Sequence, residues 1–598
     1  MKLRFKTVLV SAASALAIGT AGWAVPAIAQ DSAAANEDAP DNTIVVTGSR
    51  LLTANQAAAL PLRAIDETEI RKQGSPPLLD LIRAMPEAQG SIGNSNSSQP
   101  GKGQGYEGAE SINLRGLGPD RNLVLLNGHR LPLVSGYFVN TRNIPASAIA
   151  RVEILKDAAS TTYGSDAMTG VVNFITKHGF KGLELGGDYT FINDSKGDWR
   201  VDATWGTKGD NWDLMVSGGY QQRGRLSVKD RPWSTPPYAV NPDAGWNFSS
   251  NPSQFTPVGP VGAGGVLAAT GPKVVDVGCA PLGGIQPFAG FCVNNVQIWQ
   301  DLVAPTKTWQ LYSEFNYDFS GTKLHLEGYY SDQDTIVHYP PSFNQPRPIT
   351  ATVLPTNMDP ATAGVGTSPK LYSNWFVPIT NPGLAAYAAA NPTQFPAGTT
   401  GIFLPVGQWR PYFVGGNPFF GDASTSAYQK RTQSEYRVSA GLNGVMGGDI
   451  NWNFDATYGR NEHTQIGFDS SGSMIELALR GLGGPNCQWQ TATPGSTGCL
   501  WLNPMSNAIQ SAPMNGINQN TGYNSAVANT KELADWLMIP WITTQTSQVA
   551  EANFNFDGRF NGIDLGAGAL KWALGGQWRW LVRGDNYGGR LSDNYDGR

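Results

Sequence analysis

The sequence predicts a mainly β protein in which a small α+β domain precedes a large antiparallel β-barrel that crosses a membrane. Short apolar runs, each bounded by Gly, Asn or Asp, crowd the stretch from Ser111 to Lys177, as expected for brief buried strands joined by tight turns. After Lys177 apolar and polar residues alternate in about nine segments, which is the period of a strand with one apolar face. The 71 glycines, 18 tryptophans and 20 tyrosines suit many strands and turns.

Length and charge exclude several classes of protein. The 598 residues are too many for one soluble core. Only 15% of residues are charged and the net charge is −5, so the chain lacks the clustered basic face that nucleic-acid binding requires. No internal apolar run reaches the roughly 20 residues that a spanning helix needs, so strands must make any membrane passage.

The first domain combines short strands with single-turn helices. Asn127-Gly128 tolerates positive φ at both central positions of a hairpin turn, so we expect the segments on either side of it to pair antiparallel. Ser75 and the apolar spacing after it predict a helix that ends near Arg83, and Gly164 suits the end of another short helix. The segments concerned are Leu123–Leu126, His129–Leu131, Val152–Leu155, Val171–Ile175 and, for the second helix, Ala158–Tyr163.

Two stretches carry a family resemblance. INLRGLGPDRNLVLLNGHRLP and ARVEILKDAASTTYGSDAMTGVVNFITK closely resemble the plug domain of TonB-dependent outer-membrane receptors, in which a globular plug occupies the lumen of a large β-barrel. The resemblance spans Leu60 to Lys177 and places a plug domain at residues 59–177. At His129 the family more often has arginine. The plug-motif residues that it implies are Arg115, Gly116, Asp120, Arg121, Asn127, Gly128, Arg151, Glu153, Lys156 and Asp157.

The N-terminus has the organisation of an exported protein. Basic residues precede an apolar run from Val8, and Ala27-Ile28-Ala29 offers a cleavage site, so residues 1–29 are predicted to be a signal peptide. An N-terminal membrane anchor is the alternative, but Pro26 interrupts the run. Residues 31–42 are small, acidic and polar, so we interpret residues 30–58 as a flexible tether.

A β-prone hexamer lies within that tether. It can add as a strand to the edge of another protein's sheet, or pair internally as the first strand of the plug. Its position is similar to that of the TonB box, and the resemblance implies TonB, with its inner-membrane energising complex, as a partner. The short tether leaves no room for an additional signalling domain. The hexamer comprises Thr43, Ile44, Val45, Val46, Thr47 and Gly48.

A glycine-rich segment between the first helix and the plug motif contains a formal G-x-G-x-x-G match at residues 103–108. A dinucleotide site requires a strand before this motif and a helix after it. Asn and Ser precede it and a strand-like segment follows, so we interpret the segment as a plug loop.

Residues 178–598 are predicted to be the N-terminal part of the barrel. Each alternating segment is near the roughly 10 residues of a tilted membrane strand, with Trp and Tyr often at its ends. A soluble sandwich would alternate as well, but it needs a second sheet to bury the apolar face. The segments are Leu183–Phe191, Trp199–Trp205, Trp212–Tyr220, Trp309–Tyr317, Leu324–Tyr330, Tyr436–Leu442, Ile450–Tyr458, Ala550–Phe556 and Leu570–Trp578.

Loop lengths indicate the orientation of the barrel. Connections after the second, fourth and sixth strands are short, and those after the third, fifth and seventh are very long. Outer-membrane barrels have short periplasmic turns and long external loops. The external loops cover approximately Pro232–Thr306, Pro340–Lys430 and Gly467–Ile542 and carry many aromatic residues, which either stack on flat ligands or pack on one another: Tyr372, Trp375, Phe376, Trp409, Tyr412, Phe413, Phe419 and Phe420.

All four cysteines lie in these loops, as Cys279 with Cys292 and Cys487 with Cys499. They are candidate disulfides, each closing a loop worth roughly 3 kcal/mol in the chain-entropy account. A metal site competes, but the spacings lack the close pairing of zinc ligands. Five histidines in the chain and no H-E-x-x-H, G-x-S-x-G or P-loop pattern argue against an enzyme, a bound metal or another cofactor.

The predicted function is energised import across the outer membrane of a Gram-negative bacterium, of a substrate too large or scarce for porins. A metal chelate, an oligosaccharide and a peptide all stay open as substrates. A passive surface-binding protein or adhesin is the second hypothesis. Nine strands leave an open edge, and a lumen that holds the plug fits about 22 strands. We therefore expect Arg598 to end an incomplete barrel, without the usual terminal aromatic residue.

Overall fold

The computed structural model describes residues 62–73, 77–88, 90–93, 106–156, 160–261, 266–341, 375–405, 409–421, 427–447, 449–564 and 569–589. The predicted signal peptide, tether and TonB box lie outside these residues, as do Ser75, Asp157, Tyr372 and residues 103–105 of the G-x-G-x-x-G match.

The plug contains a five-stranded sheet and three short helices. The strands are β1 (Leu62–Asp66), β2 (Leu123–Leu126), β3 (His129–Arg130), β4 (Ile149–Leu155) and β5 (Val171–Thr176), and the helices are α1 (Glu67–Lys72), α2 (Leu78–Arg83) and α3 (Ser160–Tyr163). The strand order is β1-β4-β5-β2-β3, in which β2 and β5 are parallel and the other neighbours are antiparallel. The antiparallel pairing of β2 with β3 across Asn127-Gly128 is the one that the sequence predicts.

Helix α1 is an element that the sequence analysis missed. Asp66 ends β1 and caps the helix, since its carboxylate accepts a hydrogen bond from the Glu69 amide at 2.8 Å. Acidic residues in the first turn and Arg71 in the last turn suit the helix dipole. The Asp-Glu-Thr-Glu run was the available signal.

The plug core lies between helix α2 and the sheet. Leu79, Leu81 and Ile82 of the helix are buried against Ile154 of β4 and Phe174 of β5. Burial of one such side chain contributes roughly 1.5–3 kcal/mol to the free energy of unfolding. Helix α2 therefore stabilises the face of the sheet on which it packs.

The second sheet, here called the wall, has nine antiparallel strands in sequence order. This confirms the predicted fold class and the nine alternating segments. The strands are β6 (Gly182–Thr190), β7 (Asp198–Lys208), β8 (Trp212–Arg223), β9 (Thr306–Asp318), β10 (Thr322–Tyr339), β11 (Ala427–Met446), β12 (Ile450–Ser470), β13 (Met538–Asp564) and β14 (Ala569–Gly589).

One face of the wall presents apolar side chains away from the plug. Leu185 is 72% exposed and Leu311 is 49% exposed, and an outward apolar face of this kind is typical of a membrane-spanning strand wall. Aromatic girdles border it. The outer girdle includes Trp199, Tyr220, Trp309, Tyr436 and Tyr458, and the inner girdle includes Trp212, Phe315, Tyr317 and Phe319.

Strand lengths differ from the prediction. The strands run from 9 residues in β6 to 27 in β13, not about ten throughout. Charged side chains appear on the same face beyond the outer girdle, where Asp334 of β10 pairs with Lys430 of β11 at 3.2 Å. Charge on that face is compatible with water and not with lipid, so the upper parts of the long strands stand outside the apolar band.

The three long connections, residues 224–305, 340–426 and 471–537, fold together into what we call the outer cap. Strands from the first two connections pair in one sheet, with Thr256 opposite Phe403. The helices are α4 (Pro382–Ala390), α5 (Gly472–Leu479) and α6 (Lys531–Leu537), and the strands are Leu226–Ser227, Trp246–Asn247, Gln254–Val261, Val266–Ala269, Val274–Val275, Asn294–Asn295, Asp301–Val303, Phe376–Pro378 and Gly401–Phe403. No helix in the described ranges is long and apolar enough to cross a membrane.

One apolar cluster in the outer cap takes side chains from all three connections. Phe255 comes from the first, Trp375 and Trp409 from the second, and Ile475 and Leu537 from the third. Both tryptophans are fully buried. Of the two readings of the loop aromatics, mutual packing therefore applies to these residues and to the buried Phe376, Tyr412 and Phe413, while Phe419 and Phe420 are partly buried.

A charged side chain in the apolar band should destabilise the wall. Leu326 lies on β10 between Leu324, which pairs with the girdle residue Tyr317, and Tyr330. Leu326→Arg is expected to lower the free energy of unfolding in lipid vesicles by about 2–4 kcal/mol, because arginine is costly near the bilayer midplane. Denaturant titration followed by tryptophan fluorescence measures this. Lys323→Arg, at the short-turn end of the same strand, is the control, and equal stability of the two variants would contradict the lipid assignment.

Candidate functional site

The candidate site is the interface at which the plug meets the inward face of the wall. Asn127 reaches that face from the β2–β3 turn, where Asn127 and Gly128 have φ values of 52° and 81°. Its side-chain amide donates to Glu327 Oε2 at 2.7 Å and to the Tyr312 hydroxyl at 3.1 Å. The turn that the sequence predicts thus places a donor against a buried wall carboxylate.

A second wall carboxylate receives the end of the plug. Thr176, the last residue of β5, donates its hydroxyl to Glu314 Oε2 at 2.7 Å. The Tyr312 hydroxyl donates to the same oxygen at 2.8 Å. His178, just after the plug, lies 2.6 Å from Glu314 Oε1 through Nδ1. We call Asn127, Thr176, Tyr312, Glu314, Glu327 and Arg437 the lower latch.

Arg437 of β11 completes the lower latch. It forms an ion pair with Glu327 and donates from Nη1 to the carbonyl oxygens of Leu126 and His129 at 3.0 and 3.2 Å. Both charged groups are buried. A buried ion pair of this kind is stabilised by its additional hydrogen bonds, which here come from the plug backbone.

Several other plug-motif residues hold the plug's own loops. The Arg115 guanidinium donates to the carbonyl oxygen of Lys156, and that of Arg121 donates to Leu117. Arg115 and Gly116 both have positive φ. These hydrogen bonds hold the Arg-Gly-Leu-Gly turn of residues 115–118 against the end of β4.

Three of the remaining motif residues lie on β4 or directly after it. Arg151 pairs with Glu153 at 2.8 Å, and the Lys156 ammonium lies 2.5 Å from Glu87, where its hydrogen bond lowers the pKa of that carboxyl. The Gly128 amide donates to Asn173 at 2.9 Å.

Asp120 is exposed in the loop beside Arg121. Asp157 and the hexamer from Thr43 to Gly48 lie outside the described residues. Their predicted roles therefore stay predictions.

The upper part of the plug contacts the wall through residues that the sequence analysis did not single out. Glu107 forms an ion pair with Arg431 and accepts from the Tyr339 hydroxyl at 2.6 Å. Asn140 donates to Gln333 and Gln433 at 3.0 Å each. We call residues 106–110 and 134–143 the plug summit, because they meet the wall near the start of the long outer connections. No short motif marks these partners in the sequence.

Arg130 and His129 make further contacts with the wall. Arg130 lies 2.5 Å from Asp166 within the plug and 3.3 Å from Glu551 of β13. Burial lowers the pKa of the Arg130 guanidinium. His129, which stands where the resemblance leads one to expect arginine, approaches Asp455 of β12 at 3.3 Å.

The plug summit also carries aromatic rings. Tyr106 stacks with His463 of β12 at a centroid distance of 5.8 Å and with Tyr137 at 6.2 Å. Phe138 meets Tyr106 edge to face at 5.3 Å. Burial is the main cause that raises the pKa of Tyr137, so its hydroxyl stays neutral at physiological pH.

In the outer cap the four cysteines form two disulfides, Cys279 with Cys292 and Cys487 with Cys499. The first and third connections also meet at Asp276, which accepts from the Ser506 amide at 2.8 Å. Burial raises the pKa of the Asp276 carboxyl. Within the described residues no group of three His, Cys, Asp or Glu side chains is arranged to hold a metal ion.

Comparison with known proteins gives matches in sequence and in structure. The model of the TonB-dependent receptor plug domain family matches residues 54–171. The vitamin B12 transporter BtuB of Vibrio cholerae is 30% identical over 164 residues, which are 27% of this chain and 25% of that protein. The chain thus matches about a quarter of the length of this curated relative.

Solved structures cover most of the chain at low similarity. A mutant ferric enterobactin receptor PfeA from Pseudomonas aeruginosa has 12% identity and a TM-score of 0.36, covering 89% of this chain and 59% of that chain. FpvA of P. aeruginosa, bound to a ferric pyoverdine, has 10% identity and a TM-score of 0.42, covering 90% and 45%.

The plug-domain match covers the β2–β3 turn, which contacts the wall through Asn127, and it ends at Val171, the first residue of β5. Residues 54–171 thus match the plug domain of TonB-dependent receptors, and 164 residues of the chain are similar in sequence to BtuB.

Proposed function

We propose that this receptor imports a scarce or bulky substrate across the outer membrane of a Gram-negative bacterium, with energy delivered through TonB. The domain division follows the sequence prediction, with the plug at residues 59–177 and the barrel from residue 178. The BtuB relative, a vitamin B12 transporter, supports import in general. It does not give the substrate, because the match covers only 27% of this chain and 25% of that protein. Catalysis has no part in the proposal.

The observation that carries the proposal is the polar character of the plug–wall contact. The lower latch and the plug summit join the two bodies mainly through hydrogen bonds and ion pairs, such as Asn127 with Glu327 and Asn140 with Gln433. A hydrogen bond contributes a net of about 0.5–1.5 kcal/mol, because water replaces it when it opens. A plug held in this way can shift under an applied force by exchanging these polar contacts for water.

Force would enter through the hexamer from Thr43 to Gly48, which precedes β1 by about 14 residues of sequence. Strand β1 is the edge strand of the plug sheet, and Ile65 is its one buried residue. TonB would pair with the hexamer by strand addition. Substrate would approach from the outer cap and the plug summit.

Removal of the hexamer should abolish both TonB binding and import. Deletion of Thr43 to Gly48 is expected to abolish binding of the purified periplasmic domain of TonB, because the segment with which TonB would pair is lost, and to abolish growth on the nutrient that requires the gene. Calorimetry and growth of a complemented deletion strain measure the two effects.

A matched deletion of residues 33–38, elsewhere in the tether, should leave both unchanged. Growth that persists without the hexamer would favour the second candidate, a passive surface-binding protein.

A covalent bond between plug and wall should block import if the plug must move. The Ser147 hydroxyl in the plug lies 2.8 Å from the Ser217 hydroxyl on β8, so Ser147→Cys with Ser217→Cys is placed to form a disulfide. Oxidised cells are expected to lose growth on the required nutrient, and a membrane-permeant reductant should restore it.

The control pair joins two strands of the wall instead. The Ser439 hydroxyl on β11 lies 2.8 Å from the Thr457 hydroxyl on β12. Cysteines at these two positions should leave growth unchanged. Normal growth with a verified plug–wall disulfide would show that the plug does not need to move.

A further inference from the structure

Histidines gather where the lower part of the plug meets the wall. The chain has five histidines, and His129 and His178 both approach a wall carboxylate from the plug side. The His129 Nδ1 atom lies 3.3 Å from Asp455 Oδ2, and the His178 Nδ1 atom lies 2.6 Å from Glu314 Oε1. Imidazole is the side chain whose charge ordinarily changes between about pH 5 and 8. Two plug–wall contacts are therefore able to gain or lose a positive charge in that range.

Both carboxylates are largely shielded from water, which makes the charge of the partner important. The Glu314 side chain is 1% exposed and that of Asp455 is 8% exposed. A hydrogen bond from a charged donor to a carboxylate is roughly twice as strong as one between neutral groups. A neutral imidazole can keep the hydrogen bond through one tautomer, but it no longer compensates the charge of the carboxylate. Loss of the proton thus weakens each contact without removing it.

Arginines at the same interface do not respond in this way. Arg130 of the plug lies 3.3 Å from Glu551 of the wall, and Arg431 of the wall pairs with Glu107 of the plug. A guanidinium stays charged throughout the physiological range of pH. The interface therefore combines permanent ion pairs with two contacts that depend on pH.

The groups around His178 favour its charged form. Besides Glu314 of β9, Asp213 of β8 contributes negative charge there. His325 of β10 meets the His178 ring edge to face at a centroid distance of 6.3 Å, and its Nε2 atom lies 3.6 Å from Glu327. Three carboxylates thus surround these two imidazoles, so both rings can be protonated at the same time.

The groups around His129 are of the same kind. Asp455 of β12 and Glu327 of β10 contribute negative charge. Arg437 of β11 is the opposing cation, since it donates to the His129 carbonyl oxygen at 3.2 Å and pairs with Glu327. The carboxylate toward which a protonated His129 is drawn is therefore Asp455.

His178 exchanges protons with water readily, because its side chain is half exposed. Partial burial alone would lower the pKa of His178, but the hydrogen bond and the charge of Glu314 raise it above its ordinary value of 6.5. The stabilisation that protonated His178 gives to the folded interface is therefore complete below about pH 6.5. It is lost as the pH rises through the raised pKa of the folded state.

We propose that His129 and His178 make the plug–wall contact sensitive to protons. At acidic pH both imidazoles are charged and hold the plug on Asp455 and Glu314. Toward alkaline pH both become neutral, and the arginine pairs and the neutral hydrogen bonds hold the plug alone. Acidic surroundings should then slow energised import by keeping the plug seated. That last consequence rests on the proposed function, whereas the pH-dependent contact does not.

Urea titration of the full-length receptor in lipid vesicles tests the contact without substrate or TonB. None of the 18 tryptophans lies in residues 59–177, so energy transfer from tryptophans elsewhere in the chain to a dye on the plug reports plug–wall separation. The dye is attached at Asp80→Cys, an exposed position of helix α2, and the native cysteines are protected as disulfides. The urea midpoint of separation is expected to fall by about 0.5 M or more between about pH 5.5 and about pH 8.

Paired substitutions assign the shift to the two histidines. His129→Gln with His178→Gln keeps hydrogen-bond donors without charge, so its midpoint at both pH values should match the alkaline value of the wild type. His129→Arg with His178→Arg carries permanent charge, so its midpoint should stay near the acidic value of the wild type. His338→Gln is the matched control, because His338 pairs with Asp301 of the outer cap at 2.7 Å, and it should keep the wild-type shift.

A wild-type midpoint that does not change with pH would overturn the proposal. A Gln variant that keeps the full wild-type shift would overturn it as well, because other groups would then be responsible. Neither result bears on import, which the hexamer deletion tests separately. The failure of this inference and the failure of the proposed function are therefore distinguishable.

Discussion

The fold depends on the two-residue period of the wall strands. Each strand turns one set of side chains to lipid and the alternate set to the plug, and a slip of one residue would exchange the two sets. On β10, for example, Leu326 and Tyr330 face outward while Glu327 and Ser331 are buried against the plug. The plug in turn supplies the donors that these buried polar groups require, since a buried carboxylate without partners costs about 1–3 kcal/mol or more. Wall and plug are therefore complementary surfaces.

This complementarity makes the plug–wall interface specific while its contacts stay mainly polar. In the lower latch each plug donor bonds to a particular wall carboxylate, as the Thr176 hydroxyl does to Glu314. These specific pairs define one position of the plug within the wall. Because the contacts are mainly polar, water can take them over one at a time. A seat lined by apolar side chains would hold the plug more tightly and release it less readily.

The outer cap follows a different principle. Its three connections share one apolar cluster that includes Trp375, Trp409 and Leu537. The first and the third connection each contain one internal disulfide. Loops that share a core have to move together, because separating them would expose that core to water. The cap is thus a folded unit on the wall.

The sequence by itself determined the elements whose cause is local. Periodicity gave all nine wall strands, Asn127-Gly128 gave the plug hairpin, and loop lengths gave the side on which the cap stands. The ends of the strands and helix α1 were harder to predict from the sequence. The strand ends depend on where the lipid band stops, and helix α1 depends on one capping carboxylate. Only the tertiary structure decided which wall residue receives which plug donor, as in Asn127 with Glu327, 200 positions apart in the chain. It also decided that Trp375 and Trp409 are buried, because side-chain partners so distant in sequence leave no periodic or local trace.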